Sequence, residues 1–178
     1  MKSITEQLST YKSVHLNSDN IKTHFVGIPL IIWSVALLLN IVSFELMIDG
    51  QPLTLGLATI IGLVALIYYV VLYIPMAILV LIIFGPIVYS THLLAEHEYV
   101  IAIAVGVFVV GWILQFIGHA YEKAKPAFVD DLNQLLIGPL FLIAEIYFAL
   151  GLNKAMEESV YNEAVDKRKE FERKKAAE

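Results

Sequence analysis

Apolar and polar positions follow one another along this chain in blocks. Long apolar runs fill the middle of the sequence, and short clusters of Asn, Asp, Gly, Pro and His punctuate them. Met1 to Val14 is polar except at Ile4, Leu8, Tyr11 and Val14, a three-and-four spacing that predicts a short helix lying on a membrane surface. The cluster Asn17-Ser18-Asp19-Asn20 then signals a turn and a helix cap. A first hydrophobic span is expected from Phe25 to about Ile48, with Pro29 in its opening turn and Asp49-Gly50-Gln51-Pro52 closing it. Leu53 to about Leu94 is twice the length one bilayer crossing requires, so it predicts two helices that break near Tyr73-Ile74-Pro75. A polar loop over Thr91 to Glu98 leads to a fourth span from about Tyr99 to Gly118, and His119 to Asn133 is polar again. Leu132 to Leu152 is a fifth apolar segment interrupted by Gly138-Pro139 and Glu145; it either spans or enters and leaves on one side. From Asn153 a charged helix is expected, with Glu163 facing Lys167 and Glu170 facing Lys174, the pattern of a solvated helix.

The fold class predicted is therefore all-α: a polytopic membrane bundle of about four spanning helices plus a fifth that spans or is re-entrant. Residues 1–152 form the membrane-embedded domain, with residues 1–24 as its N-terminal segment, and 153–178 form a charged tail. Composition agrees, because 58% hydrophobic and 16% charged residues leave too little polar surface for a water-soluble domain. The polar N-terminus does not have the form of a signal peptide, so insertion falls to the internal spans. The basic residues are few and interleaved with acids, which argues against nucleic-acid binding, and oligomeric state is left open.

Counting four crossings places the N-terminus, the Tyr73 hairpin and the His119 to Asn133 segment on one side. That side carries Lys2, Lys12, Lys22, Lys123 and Lys125, whereas the loops at Asp49 and at Thr91 to Glu98 contain no Lys or Arg. The positive-inside rule makes the first side cytoplasmic. The tail joins it if the fifth segment does not fully cross, and a cytoplasmic tail is the expectation.

With no cysteine, any metal must be held by His, Asp, Glu or neutral oxygen donors. Of five histidines, His15, His24 and His119 fall on the expected cytoplasmic face. His15 and His24 on one straight helix would be separated by about 13.5 Å of rise, but the Asn17 to Asn20 turn lets the chain reverse and bring both imidazoles together. Gln115, His119 and Glu122 recur along one helix face. Three imidazoles with a carboxylate suit iron, zinc or manganese, and open positions suit iron(II) oxygen chemistry. For each histidine alone the plainer reading is an interfacial side chain bonded to a backbone carbonyl. His92 and His97, in the opposite loop, need no special explanation. Glu145, inside an apolar segment, is either functional or a structural acceptor for a tyrosine, a lysine or a helix end. Tyr68, Tyr69, Tyr73 and Tyr121 read as an aromatic belt.

Two strings are specific. Tyr11-Lys12-Ser13-Val14-His15-Leu16-Asn17-Ser18-Asp19-Asn20-Ile21-Lys22-Thr23-His24-Phe25-Val26-Gly27-Ile28-Pro29 resembles the opening of the fungal 2-hydroxy fatty acid dioxygenases of fatty-acid α-oxidation and their bacterial relatives. Trp112-Ile113-Leu114-Gln115-Phe116-Ile117-Gly118-His119, continuing to Glu122 and Lys125-Pro126-Ala127, resembles that family's other signature, and Asn133-Gln134 through Pro139 to Glu145 its closing part. The similarity runs from about Tyr11 to Leu152; the apolar Val70 to Pro75 connection departs from the family, and the tail lies outside it.

The resemblance implies an Fe(2+)-dependent membrane enzyme that uses molecular oxygen to shorten a 2-hydroxy fatty acid by one carbon. It implies His15, His24 and His119 as metal ligands, Glu122 as a further ligand or an acceptor that orients an imidazole, and Asn20, Gln115 and Glu145 as substrate-positioning or supporting residues. The expected setting is a bacterial inner membrane with the site facing the cytoplasm, an endoplasmic reticulum membrane being the alternative. The competing functions are a membrane zinc hydrolase of lipid amides or esters and a non-catalytic helical scaffold.

Overall fold

A computed structural model describes residues 2–129 and 131–176; the outermost residues of the two expected domains, Met1 and Ala177-Glu178, lie outside that range. In chain order the elements are α1 (Ile4–Lys12), α2 (Ser18–Leu39), β1 (Ser43–Ile48), β2 (Gln51–Gly56), α3 (Leu57–Leu72), α4 (Ile74–Ser90), α5 (Val100–Glu122), α6 (Gln134–Ala149) and α7 (Lys154–Ala176). Single turns of tighter helix sit at Thr91–Leu93 and Ala127–Val129. The chain divides into two compact units, one of Met1–Phe25 with Gln115–Glu178, the other of Val26–Leu114.

Local chemistry explains where these elements begin and end. Ser3 caps α1 by accepting the Glu6 amide at 3.1 Å. Asn17 does the same for α2, its Oδ1 accepting the Asp19 amide at 2.8 Å. Tyr73, extended at φ −167° and ψ 105°, breaks α3 from α4 where expected, and Pro75 opens the second helix, where its missing N–H costs nothing.

Two expectations about the first span need correction. Helix α2 begins at Ser18, so Pro29 lies inside it, not in its opening turn, and His24 is a helical residue. The helix also stops at Leu39. The apolar residues that follow form a two-stranded antiparallel hairpin in which Ser43 pairs with Gly56 and Ile48 with Gln51. Asp49 (φ 49°) and Gly50 (φ 75°) supply the two left-handed residues of a tight hairpin turn. Among the described residues the fold is thus mostly helical with one β-hairpin. Hydrophobicity alone does not separate a short apolar strand from the end of a helix.

In the Val26–Leu114 unit, α3 and α4 pack on each other, and Leu37, Met76, Ala77, Val80 and Ala104 are buried. Among the described residues, three helices are long and apolar enough to cross a membrane: Ser18–Leu39, Ile74–Leu93 and Val100–Glu122. The apolar helices α3 and α6 are shorter. Helix α5 exposes Ile101, Val105, Val109 and Ile113 at a constant spacing of four, a continuous apolar stripe.

In the other unit, α1 packs on both α6 and α7. Leu8, Ile137, Leu140, Phe141 and Ile143 form its core, and Val160 and Ala164 of α7 are buried as well. The charged tail is therefore docked along one side, because alanine and valine at a helical spacing of four give a mostly polar helix a narrow apolar seam.

Candidate metal centre

The first unit also buries an unusual number of polar side chains: His15, Asn20, His24, Gln115, His119 and Glu122 are each less than a tenth exposed. Helix α1 ends at Lys12, and the chain turns tightly, His15 N–H donating to the Lys12 carbonyl at 2.8 Å. This places the His15 ring flat against the Tyr11 ring, 4.1 Å between centroids and 3° apart in plane. Its Nδ1 lies 2.6 Å from the Tyr11 carbonyl oxygen. After the Asn17 cap, α2 carries His24 into the same spot, with Nδ1 2.9 Å from the Asn20 carbonyl oxygen. His119 arrives from the last turn of α5, its ring centroid 4.9 Å from that of His15 and 5.1 Å from that of His24. One nitrogen from each of the three rings lies within 4.8 Å of the others.

The donor set tests whether a cation fits here. A bare Nδ1 facing a carbonyl would set two acceptors against each other, so His15 and His24 each carry their ring hydrogen on Nδ1. Both Nε2 atoms are then lone pairs, and they face each other at 3.0 Å. Two acceptors at that distance repel unless a proton or a metal ion lies between them. A proton is disfavoured, because burial and then the neighbouring His24 hold His15 well below the usual imidazole range. A metal ion resolves the conflict: two nitrogens at about 2.1 Å from one ion and at right angles stand about as far apart as these two. His119 contributes one ring nitrogen to the same cluster, and its Nδ1 is buried without a hydrogen-bond partner. The residues fit a metal ion.

Glu122, for which the resemblance implies either a ligand or an acceptor that orients an imidazole, lies behind the turn that carries His15. It is not one of the three clustered donors. Its Oε2 accepts the Asn17 amide at 2.8 Å and Asn20 Nδ2 at 3.2 Å, and its Oε1 faces Arg168 Nη1 at 3.4 Å. Asn20 Nδ2 also donates to the Val14 carbonyl at 3.2 Å. The side chains of Glu122 and Asn20 thus hold the turn between His15 and His24. Glu145 receives Lys12 Nζ at 2.5 Å, both side chains mostly buried, and the ammonium lies 5.5 Å from the Phe141 ring centroid. Gln115 sits one turn before His119 with its Nε2 buried and unpartnered. His92 approaches Thr59 Oγ1 at 3.3 Å, and His97 Nδ1 accepts the Tyr99 amide; neither joins the triad.

Three contributors were not singled out by sequence reasoning. Tyr11 lies four residues before His15, the offset at which a ring stacks on a ring. Gly118 permits the approach of α5 to α2: a Cβ there would lie 2.2 Å from Thr23 Oγ1 and 2.4 Å from Asn20 Oδ1. Only a hydrogen fits, which also accounts for Asn20 Oδ1 having no conventional donor. Its signal was a glycine immediately before the histidine. Arg168 carries no sequence signal, being one cation among several in a charged helix.

The chain is similar to known proteins over most of its length. A family model described as 2-hydroxy-palmitic acid dioxygenase Mpo1-like matches residues 1–150. The 2-hydroxy-palmitic acid dioxygenase MPO1 of Saccharomyces cerevisiae is 31% identical over 153 residues, an alignment covering 83% of this chain and 82% of the yeast protein. No solved structure matches.

Proposed function

The chain belongs to the Mpo1-like family, and from that premise we propose that it is an iron(II)-dependent, membrane-embedded dioxygenase that shortens 2-hydroxy fatty acids by one carbon. The observation that carries the reading is the pair of buried imidazole Nε2 atoms facing each other at 3.0 Å, with His119 beside them. His15, His24 and His119 would hold iron(II), which would supply Lewis acidity toward the hydroxyl and carboxylate of the substrate and a centre for oxygen activation. The reaction balances without an external reductant: the 2-hydroxy acid and one dioxygen give the shorter acid, carbon dioxide and water.

The protein's part is placement. The Tyr11 and Asn20 carbonyls fix the His15 and His24 tautomers, the role that outer hydrogen bonds play for ligating imidazoles generally. Gln115 Nε2 donates to a substrate oxygen, which answers its lack of a partner in the protein. Phe116 and Ile117, exposed beside it on α5, lie along the acyl chain. Tyr11 stacks on the His15 ring and Phe141 lies 5.6 Å from it, so that both rings shield this imidazole. Membrane embedding is supported by the three long apolar helices, and a cytoplasmic site by Lys2, Lys12, Lys22, Lys123 and Lys125 at the histidine-bearing end of the sequence pattern.

Purified protein incubated aerobically with iron(II) and 2-hydroxypalmitate is expected to yield the acid one carbon shorter by mass spectrometry, and Gln115→Ala to raise KM more than it lowers kcat. Stoichiometric zinc with no oxygen-dependent product would replace this reading with the zinc hydrolase.

A further inference from the structure

Helix α7 lies beyond the part of the chain that the family model matches, yet one of its side chains reaches the network behind the histidines. We propose that Arg168 is a positioning residue of the metal centre, gripping Glu122 and through it the turn that presents His15 and His24. The proposal rests on the metal-centre reading above.

Glu122 poses the problem that Arg168 answers. Its side chain is 4% exposed, and a carboxylate so buried needs partners on both oxygens. Asn17 and Asn20 serve Oε2, and Arg168 Nη1 serves Oε1. The same guanidinium reaches two backbone oxygens: Nη2 donates to the Glu122 carbonyl at 3.1 Å and Nη1 approaches the Ser13 carbonyl at 3.5 Å. A cation at the carbonyl end of α5 also meets the negative end of that helix dipole. Ser13 lies two residues before His15, and Glu122 three residues after His119. Arg168 therefore joins the approach to one candidate ligand to the exit from another.

The grip is braced because α7 is held against α1 just before Arg168. Lys167 Nζ donates to the Glu6 carbonyl, Ser9 Oγ and Thr10 Oγ1 at 3.1, 2.7 and 2.8 Å, and Ser9 Oγ donates to Glu163 Oε2 at 3.0 Å. Glu172 takes the remaining edge of the guanidinium, Nε to Oε1 at 2.7 Å, and sets its rotation. Without Arg168 the Glu122 carboxylate loses its countercharge and turns toward water, freeing the Asn17 amide and Asn20 Nδ2. The spacing of the His15 and His24 nitrogens then loosens, and metal affinity falls with it.

Full-length Arg168→Ala, Arg168→Lys and Glu122→Gln proteins, with Lys169→Ala as a surface control, are titrated with cobalt(II) as a spectroscopic probe, and amide hydrogen exchange is followed over Asn17 to Asn20. Arg168→Ala is expected to weaken cobalt binding about tenfold, the low end of the loss that outer-partner changes bring to metal sites, and to speed exchange over that turn. Arg168→Lys recovers part of both, and Lys169→Ala changes neither. Wild-type cobalt affinity and unchanged exchange in Arg168→Ala overturn the proposal. If that variant does not fold, Arg168→Lys and Glu122→Gln decide alone, and wild-type affinity in both overturns it. Faster exchange in Arg168→Ala, when the unaltered protein binds no cobalt, upholds the grip on the turn and overturns the metal reading instead.

Discussion

His15, His24 and His119 on one side, and His92 and His97 on the other, are the same residue type used in opposite ways. Each member of the first group is buried, and the Nδ1 atoms of His15 and His24 are committed to backbone carbonyls, so that their lone pairs face inward. The His92 ring meets the Thr59 hydroxyl and the His97 ring accepts the Tyr99 amide. Convergence and shared burial, rather than the presence of imidazole, separate a candidate ligand set from ordinary loop chemistry. The contrast is sharpest under alanine substitution. His24→Ala and His119→Ala are expected to reduce metal binding and turnover at least about 100-fold, as removal of a ligand does more than the 10- to 100-fold loss typical of outer partners. His92→Ala and His97→Ala should stay within about twofold. Metal content and product formation measured side by side check both halves.

Two helical glycines make a second contrast. Gly118→Ala drives a Cβ into Thr23, Asn20 and His24 and is expected to cost about 1–3 kcal/mol together with metal affinity. Gly62→Ala, on α3 with nothing within 4 Å of the new methyl, should stabilise by up to about 1 kcal/mol. Thermal melting of the two proteins in one detergent checks the signs. Glu145 gives a smaller effect. Lys12→Met leaves its mostly buried carboxylate without a countercharge, for about 1.5 kcal/mol, and Lys12→Met with Glu145→Leu should restore most of that loss, with turnover retained. A double-mutant cycle whose turnover collapses whenever Glu145 is changed would instead give that residue a catalytic role.

The smallest effect concerns pH. His15 is held below its ordinary value near 6.5 by burial, so above that pH it is neutral in both the folded and the unfolded chain. As pH falls through that value the unfolded chain takes up a proton that the folded one refuses, and stability falls with pH. His15→Gln should flatten the slope of melting temperature against pH below about 6.5.

Much of the fold was legible because helix signals act locally. The spacing of Ile4, Leu8 and Tyr11, the Asn17 cap and the break at Tyr73 each depend on neighbours a few residues away. The hairpin was not, since Phe44 to Ile48 is as apolar as the helix before it, and the Asp49-Gly50 turn reads equally as a helix end. At the site, the Asn17 to Asn20 reversal that brings His15 to His24 is short-range and could be anticipated. The partners of Glu122 and Glu145 could not: Arg168 is 46 residues from Glu122, and Lys12 is 133 from Glu145, separations over which a pattern of charges carries no pairing information.

The account turns on whether the three histidines hold one metal ion. Metal content of anaerobically purified protein loaded with iron(II), measured for the unaltered chain and for His15→Ala, His24→Ala, His119→Ala and His92→Ala, tests this most directly. One ion per chain that is lost in each of the first three variants and kept in the fourth is the predicted result. Iron retained in all four, or bound by none, would contradict it.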